Sequence, residues 1–126
     1  MARKKLTHAF VVRLSYPDKV LSPNAPKRHW RYKLPAKQTA FSEGLYTSQP
    51  FQGMFNMFDF LELNLTIFPP DRKKRDLDNV FASMKSAIDG IFKGLGCDDS
   101  QVRRVVLEWG APHKNGLILL RLERLR

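Results

Sequence analysis

Cysteine is almost missing from this sequence and histidine is scarce: one cysteine, Cys97, and three histidines stand in 126 residues. A lone thiol excludes an intrachain disulfide and a multi-cysteine zinc site, so a reducing, cytoplasmic compartment is expected and Cys97 reads as a packing residue. His8, His29 and His113 lack metal-ligand spacing, and each is expected at the surface or satisfied in the core. No apolar run approaches the roughly 20 residues that a membrane helix needs. The stretch after Arg3-Lys4-Lys5 meets Arg13 too soon for a signal peptide, so a soluble, intracellular protein with no membrane contact is expected. Phosphate-cradling and dinucleotide glycine patterns are also lacking; nucleotide hydrolysis is unsupported and no small-molecule cofactor is expected.

Acidic residues are few, 12 against 22 Lys+Arg, for a net charge of +10. Such a field points to a polyanionic partner. Residues 1–37 hold a single acid, Asp18, among their many cations, whereas Asp71, Asp76, Asp78, Asp89, Asp98 and Asp99 gather further on. With 43% hydrophobic and 11% aromatic residues the chain has ample material for one core, and a single domain over 1–126 is expected.

Leu6 to Leu14 reads as a first strand, followed by a Tyr16-Pro17-Asp18 turn. The stretch from Leu21 to Gln52 carries Pro23, Pro26, Pro35 and Pro50 and no periodicity, so it is expected to be mostly loop with one helix near Ala36 to Tyr46. Within Phe58 to Phe68, Leu61, Leu63, Leu65 and Ile67 alternate with Glu62, Asn64 and Thr66, a half-buried strand closed by Pro69-Pro70. Val80, Phe81, Met84, Ala87, Ile88, Ile91, Phe92 and Leu95 recur at helical spacing, which predicts one helix from Asp78 to Gly94 with an apolar arc of about 140°. Asp78-Asn79 are capping residues at its start. Val102 to Trp109 and Leu117 to Leu125 read as strands, and Asn115-Gly116 predicts that they are antiparallel hairpin neighbours. The expected fold is α/β (α+β): a small mixed sheet of about four strands with one long helix packed on it.

The chemistry concentrates in Arg72-Lys73-Lys74-Arg75-Asp76-Leu77-Asp78-Asn79 and, twenty residues on, Cys97-Asp98-Asp99. Residues i and i+2 project about 200° apart in a helix but from one side of an extended chain, so Asp76 and Asp78 converge only ahead of the helix. A helix of about 17 residues spans roughly 25 Å. It carries Asp98 and Asp99 to its far end, where they reach Asp76 and Asp78 of their own chain only if the connection doubles back; otherwise a site would be shared across a dimer. Carboxylates without histidine or thiol partners suit a hard cation, Mg²⁺ or Mn²⁺. Lys85, seven residues beyond Asp78, projects from the same side of the helix and could stabilise developing phosphorane charge. The plainer alternative makes Asp78 a cap, Asp76 an ion-pair partner of Arg75 and Lys85 a surface lysine. Arg72 to Arg75 would repel a lone cation, and their placement makes sense if a phosphate backbone arrives with the metal. Lys27, Arg28 and Arg31 add to that basic surface, while the phenylalanines at 51, 55, 58 and 60 are expected in the core or an interface, or stacked on unpaired bases.

The run from Pro70 to Val102, PDRKKRDLDNVFASMKSAIDGIFKGLGCDDSQV, resembles the RusA-type Holliday-junction resolvases in its order of basic residues, Asp-Leu-Asp-Asn, a helix, then Asp-Asp and Gln-Val. LSPNAPKRHW, from Leu21, is similar to the corresponding stretch of phage-derived members, so the resemblance covers most of Leu21 to Trp109. It implies a RusA-like nuclease domain. The implied protein is a Mg²⁺-dependent homodimeric endonuclease on four-way DNA junctions, with Asp76, Asp78 and Asp99 as essential metal-binding aspartates. Many members carry a catalytic lysine four residues after the second aspartate, where this chain has Ala82; in the phage-type pattern it falls one turn later, at Lys85. The alternative from another class is a non-catalytic basic nucleic-acid-binding protein in which the acids only cap helices.

Overall fold

Leu61, Leu63, Leu65 and Ile67 are almost wholly buried and the residues between them are half-exposed, so the period-two pattern does mark a strand with one face on the core. The computed structural model describes residues 9–125, the side chain of Arg28 excepted. Four strands, β1 (Ala9–Leu14), β2 (Leu61–Phe68), β3 (Val102–Trp109) and β4 (Leu117–Arg124), form one sheet in the order β1-β4-β2-β3. β4 is antiparallel to both β1 and β2, and β3 is parallel to β2, giving the expected mixed sheet of four strands. Leu6 to His8 of the expected first strand lie outside the described residues.

Three helices pack on the sheet rather than one: α1 (Trp30–Ser48), α2 (Leu77–Ser83) and α3 (Lys85–Leu95). The apolar arc read from the sequence is the buried one, with Val80, Met84, Ala87, Ile88, Ile91, Phe92 and Leu95 in the core beside Leu61, Leu65 and Leu120, and Phe81 packed against it. The expected single helix is nevertheless broken at Met84, whose φ and ψ are −90° and 0°. The Ser83 hydroxyl donates to the Asn79 carbonyl at 2.8 Å, the i−4 back-bond that bends helices. The Met84 N–H turns to Phe81 instead, at 2.9 Å. α3 ends on Gly96 at φ +77°, where the Cys97 N–H reaches the Phe92 carbonyl at 3.0 Å.

The helix expected over 36–46 is 19 residues long and contains Pro35. Its inward positions are Gly44 and Ser48, which meet Gly90 and Gly94 of α3. A Cβ placed on Gly44 would overlap the Ala87 carbonyl oxygen, and one on Gly90 the Phe41 carbonyl oxygen, so the two helices touch backbone to backbone.

The expected β3/β4 hairpin is absent. Asn115 and Gly116 do take left-handed conformations, φ +66° and +71°, but the loop they close passes over the end of β2. The Gly110 N–H donates to the Ile67 carbonyl and the His113 N–H to the Pro69 carbonyl, each at 2.8 Å. β4 therefore enters on the far side of β2 and leaves β3 at the edge. Among the described residues no helix is long and apolar enough to cross a membrane.

Candidate functional site

Where β2 ends, Pro69-Pro70 stop the strand and the chain crosses to α2 through the basic loop. Asp71 organises that loop: its carboxylate accepts from the Lys73 N–H at 2.9 Å and pairs with Arg75 at 2.8 Å. The hydrogen bond from Arg75 holds the Asp71 carboxyl below the usual range, and the same bond raises Arg75. Arg75 also donates to the Lys73 carbonyl at 3.2 Å and lies 6.0 Å from the Tyr16 ring centroid. It is an internal tie of the loop, paired with Asp71 rather than Asp76, while Arg72, Lys73 and Lys74 are exposed.

The helix cap lies two residues earlier than expected. Asp76, extended at φ −90° and ψ 122°, is the residue before α2 and accepts the Asp78 N–H at 3.1 Å; Asp78 is already in the first turn. Both are exposed. Asp76 lines an open depression of about 580 Å³ with Lys74, Arg75, Asn79 and, from the segment after β1, Lys19 and Ser22. Ser22 also borders a depression holding Lys27, Trp30 and Lys33, and Pro23 beside it borders one holding Lys33, Lys37 and Lys85. One surface thus runs from Lys74 past Asp76 to Lys27, Lys33, Lys37 and Lys85. Arg31 is exposed at the start of α1; the side chain of Arg28 lies outside the described ones. Lys33 and Lys37 were not singled out from sequence, although their i, i+4 spacing would have placed them together once α1 was recognised.

Asp98 and Asp99 take separate roles. Asp98 caps the turn Asp99–Gln101: its carboxylate accepts the Ser100 N–H at 3.1 Å and the Ser100 hydroxyl, which together hold its carboxyl low. Gln101 accepts the Asp98 N–H at 2.9 Å and donates to the carbonyls of Asn56 and Asp59 at 3.0 Å, anchoring the start of β3. The Asp99 side chain is left exposed, its carboxylate without an ion pair or hydrogen-bond partner among the described residues. It lines a groove of about 320 Å³ with Phe81, Ala82, Lys85, Asp89 and Phe92. Lys85 is exposed and pairs with Asp89 at 3.5 Å. It lines the groove that holds Asp99, which Asp78 does not line.

The carboxylates expected to share a metal are therefore divided. Asp99 precedes β3, whose first residue lies opposite Leu61, the start of β2; Asp76 follows the end of β2. The two ends of β2 stand about 23 Å apart, and neither Asp76 nor Asp78 lines the groove that holds Asp99. Among the described residues no three His, Cys, Asp or Glu side chains lie together as a metal site. The connection does not double back, and Asp76, Asp78 and Asp99 of one chain do not fit a shared cation.

Of the other candidates, His29 lies 6.4 Å from Tyr32, edge to face, and His113 is exposed; His8 is outside the described residues. Burial, with a smaller contribution from Asp59, raises the Cys97 thiol, in keeping with a packing role. Phe55 is core and Phe51 packs edge-on against Phe10, whereas Phe58 is exposed and Phe60 lies under Arg103, 4.3 Å from its guanidinium.

No family profile matches the chain. An uncharacterized protein of Xylella fastidiosa (strain Temecula1 / ATCC 700964) is 35% identical to it over 110 residues, covering 84% of this chain and 71% of that protein.

Proposed function

The chain belongs to the same family as that Xylella fastidiosa protein, and we propose that it is a cytoplasmic, homodimeric RusA-type endonuclease that resolves four-way DNA junctions. The observation that carries the reading is the pair of exposed carboxylates, Asp76 and Asp78, after the exposed Arg72, Lys73 and Lys74, with Lys74 and Asp76 on a surface that continues to Lys27, Lys33 and Lys37. Backbone phosphates are the ligands for which such cations and carboxylates are useful together. A site within one chain lacks its third carboxylate, so Asp76 and Asp78 come from one copy and Asp99 from the other. Mg²⁺ or Mn²⁺ held between them would supply an activated water and neutralise phosphodiester charge. Lys74 and its neighbours hold the strand, and Lys85, in the Asp99 groove, adds positive charge where the reacting phosphate develops negative charge.

The rival reading is a non-catalytic nucleic-acid-binding protein, favoured by the capping bond from Asp78 to Asp76. A labelled four-way junction incubated with Mg²⁺ and then with EDTA separates the two. Paired nicks that appear only with the metal are the expected result, and binding without cleavage under every metal condition would leave the rival standing.

Two further outcomes are expected. Junction affinity should fall steeply between about 50 and 200 mM salt, because the lysines and arginines release condensed counterions on binding. A nearly flat salt dependence, measured by fluorescence anisotropy, would remove this surface as the contact. Lys85→Ala should lower the single-turnover rate roughly 10²-fold with affinity little changed. Because Ala82 lines the same groove, Ala82→Lys in that variant should recover much of the loss; unchanged rates in both would exclude a role for this groove's lysine.

A further inference from the structure

β3 is an edge strand, paired only with β2 among the described residues. A free edge is a template for another strand, and edges that stay single are blunted by proline, bulges or inward charges. The one irregularity here lies at the start of the strand, opposite Leu61 and Glu62, so Arg104 to Trp109 run regularly with an open outer row of backbone groups. By their register against Leu63 and Ile67, Val105 and Trp109 face the helix layer, yet they are 44% and 40% exposed. On the opposite face Arg104 is 61% exposed although paired with Glu62, and Glu108 has no ion-pair partner among the described residues.

We infer that a second copy of this chain pairs with β3 in antiparallel sense, about a two-fold axis through Val106. Opposed residues in an antiparallel pair share a face, so a symmetric register must be centred on a residue. Centred on Val105, it sets Arg104 against the partner's Val106; centred on Leu107, it sets Glu108 there. Only the Val106 centre sets Arg104 against the partner's Glu108, on both sides of the axis, and Val105 against the partner's Leu107. Opposite charges and apolar side chains are then matched across the strand pair. The interface is closed by the two-fold and leaves no free β3 edge.

The antiparallel sense also brings the start of each β3, where Asp99 stands, beside the end of the partner's β3. That is the end of the sheet at which β2 finishes and the loop to Asp76 begins. Both helix layers lie on one face of the joined sheet. The carboxylates that one chain holds apart are thereby brought to the same end of the joined sheet; this consequence, but not the pairing itself, rests on the proposed nuclease function.

The charge register supplies the test. Arg104→Glu alone and Glu108→Arg alone each oppose like charges at both contacts, and sedimentation equilibrium should show the dimer dissociation constant at least about tenfold weaker than wild type. An equimolar mixture of the two variants should dimerise again, because each chain offers the other the opposite charge at both positions. Single variants that dimerise like wild type, a mixture that stays monomeric, or a wild-type chain that never dimerises would overturn the inference. Val106→Cys in a Cys97→Ser background tests it without altering charge. On the axis the two Cα atoms stand about 4.5–5.5 Å apart, within disulfide range, so mild oxidation should link the dimer. Thr66→Cys, one strand further in, should not link, and failure of the Val106 variant to link would equally refute the register. A dimer with these properties that cleaves nothing refutes the nuclease alone; junction cleavage by a dimer indifferent to every variant refutes the interface alone.

Discussion

Asp76→Asn and Asp99→Asn are each expected to leave junction cleavage at background, and mixing the two variants is expected to restore it. The single losses should be roughly a thousandfold or more, because removing one anionic ligand forfeits the several kcal/mol that a metal-held charge supplies. Junction affinity should be retained or increased, since no phosphate contact is lost and a negative charge is removed. The mixture discriminates. If Asp99 serves the partner's Asp76 and Asp78, half the dimers in an equal mixture are hybrids, each with one undamaged site and one site carrying both substitutions. About a quarter of all sites then remain whole, and the product is a single nick instead of paired nicks. If each chain built its own site, every site in the mixture would be damaged and cleavage would stay at background.

Gly90→Ala should destabilise the fold by about 3 kcal/mol in chemical denaturation, although alanine is the better helix former by about 1 kcal/mol. The added methyl has no room: the Phe41 carbonyl oxygen and the Leu45 nitrogen already occupy its place, and Gly44 is crowded in the same way by the Ala87 carbonyl oxygen. Ser48 closes the contact, its hydroxyl donating to the Gly44 carbonyl at 2.7 Å. Both partners in the clash are backbone, so relief requires the helices to separate and the α3 core residues to shift with them. A measured gain in stability, which intrinsic helix propensity alone would give, would show that α1 and α3 do not approach so closely. Against a total of about 5–15 kcal/mol for a domain this size, the loss would be severe.

The helix contact also explains what could not be read ahead of the structure. α1 buries glycine and serine at the contact, so it has no apolar stripe, and Pro35 argues locally against a helix that tertiary contact imposes. β2 and the α2–α3 face were legible because leucine, isoleucine and phenylalanine at periods of two and 3.6 have a single solution, burial on one side. Ser83 broke the helix without disturbing that period, as a back-bonding hydroxyl changes the backbone path and leaves the apolar face intact. Asn115-Gly116 was read correctly as a turn and wrongly as a hairpin, because left-handed preference is local and does not specify which strands a turn joins.

The site divides along the same line. Asp76 and Asp78 at the entry to a helix follow from residue order, and the straight-line reach of that helix had already left Asp99 at its far end unless the chain returned. Order could not show that Asp71 takes Arg75 out of the basic tetrad, or that Ser100 occupies Asp98 and leaves Asp99 free. Those outcomes depend on side chains two to four residues apart competing for the same partners.

The passage of the β3–β4 loop over the end of β2 has a bearing on how the protein is made. β4, the last of the four described strands, fills an inner place in the sheet, and among the described residues β1 pairs with no other strand. During synthesis β1 must wait unpaired until β4 has emerged, and the sheet closes by joining segments more than a hundred residues apart. Ribosome stalling before Leu117 would leave two separate pieces of sheet with a gap between them. The nascent chain would thus hold β1 apart from the β2–β3 pair until β4 has been translated.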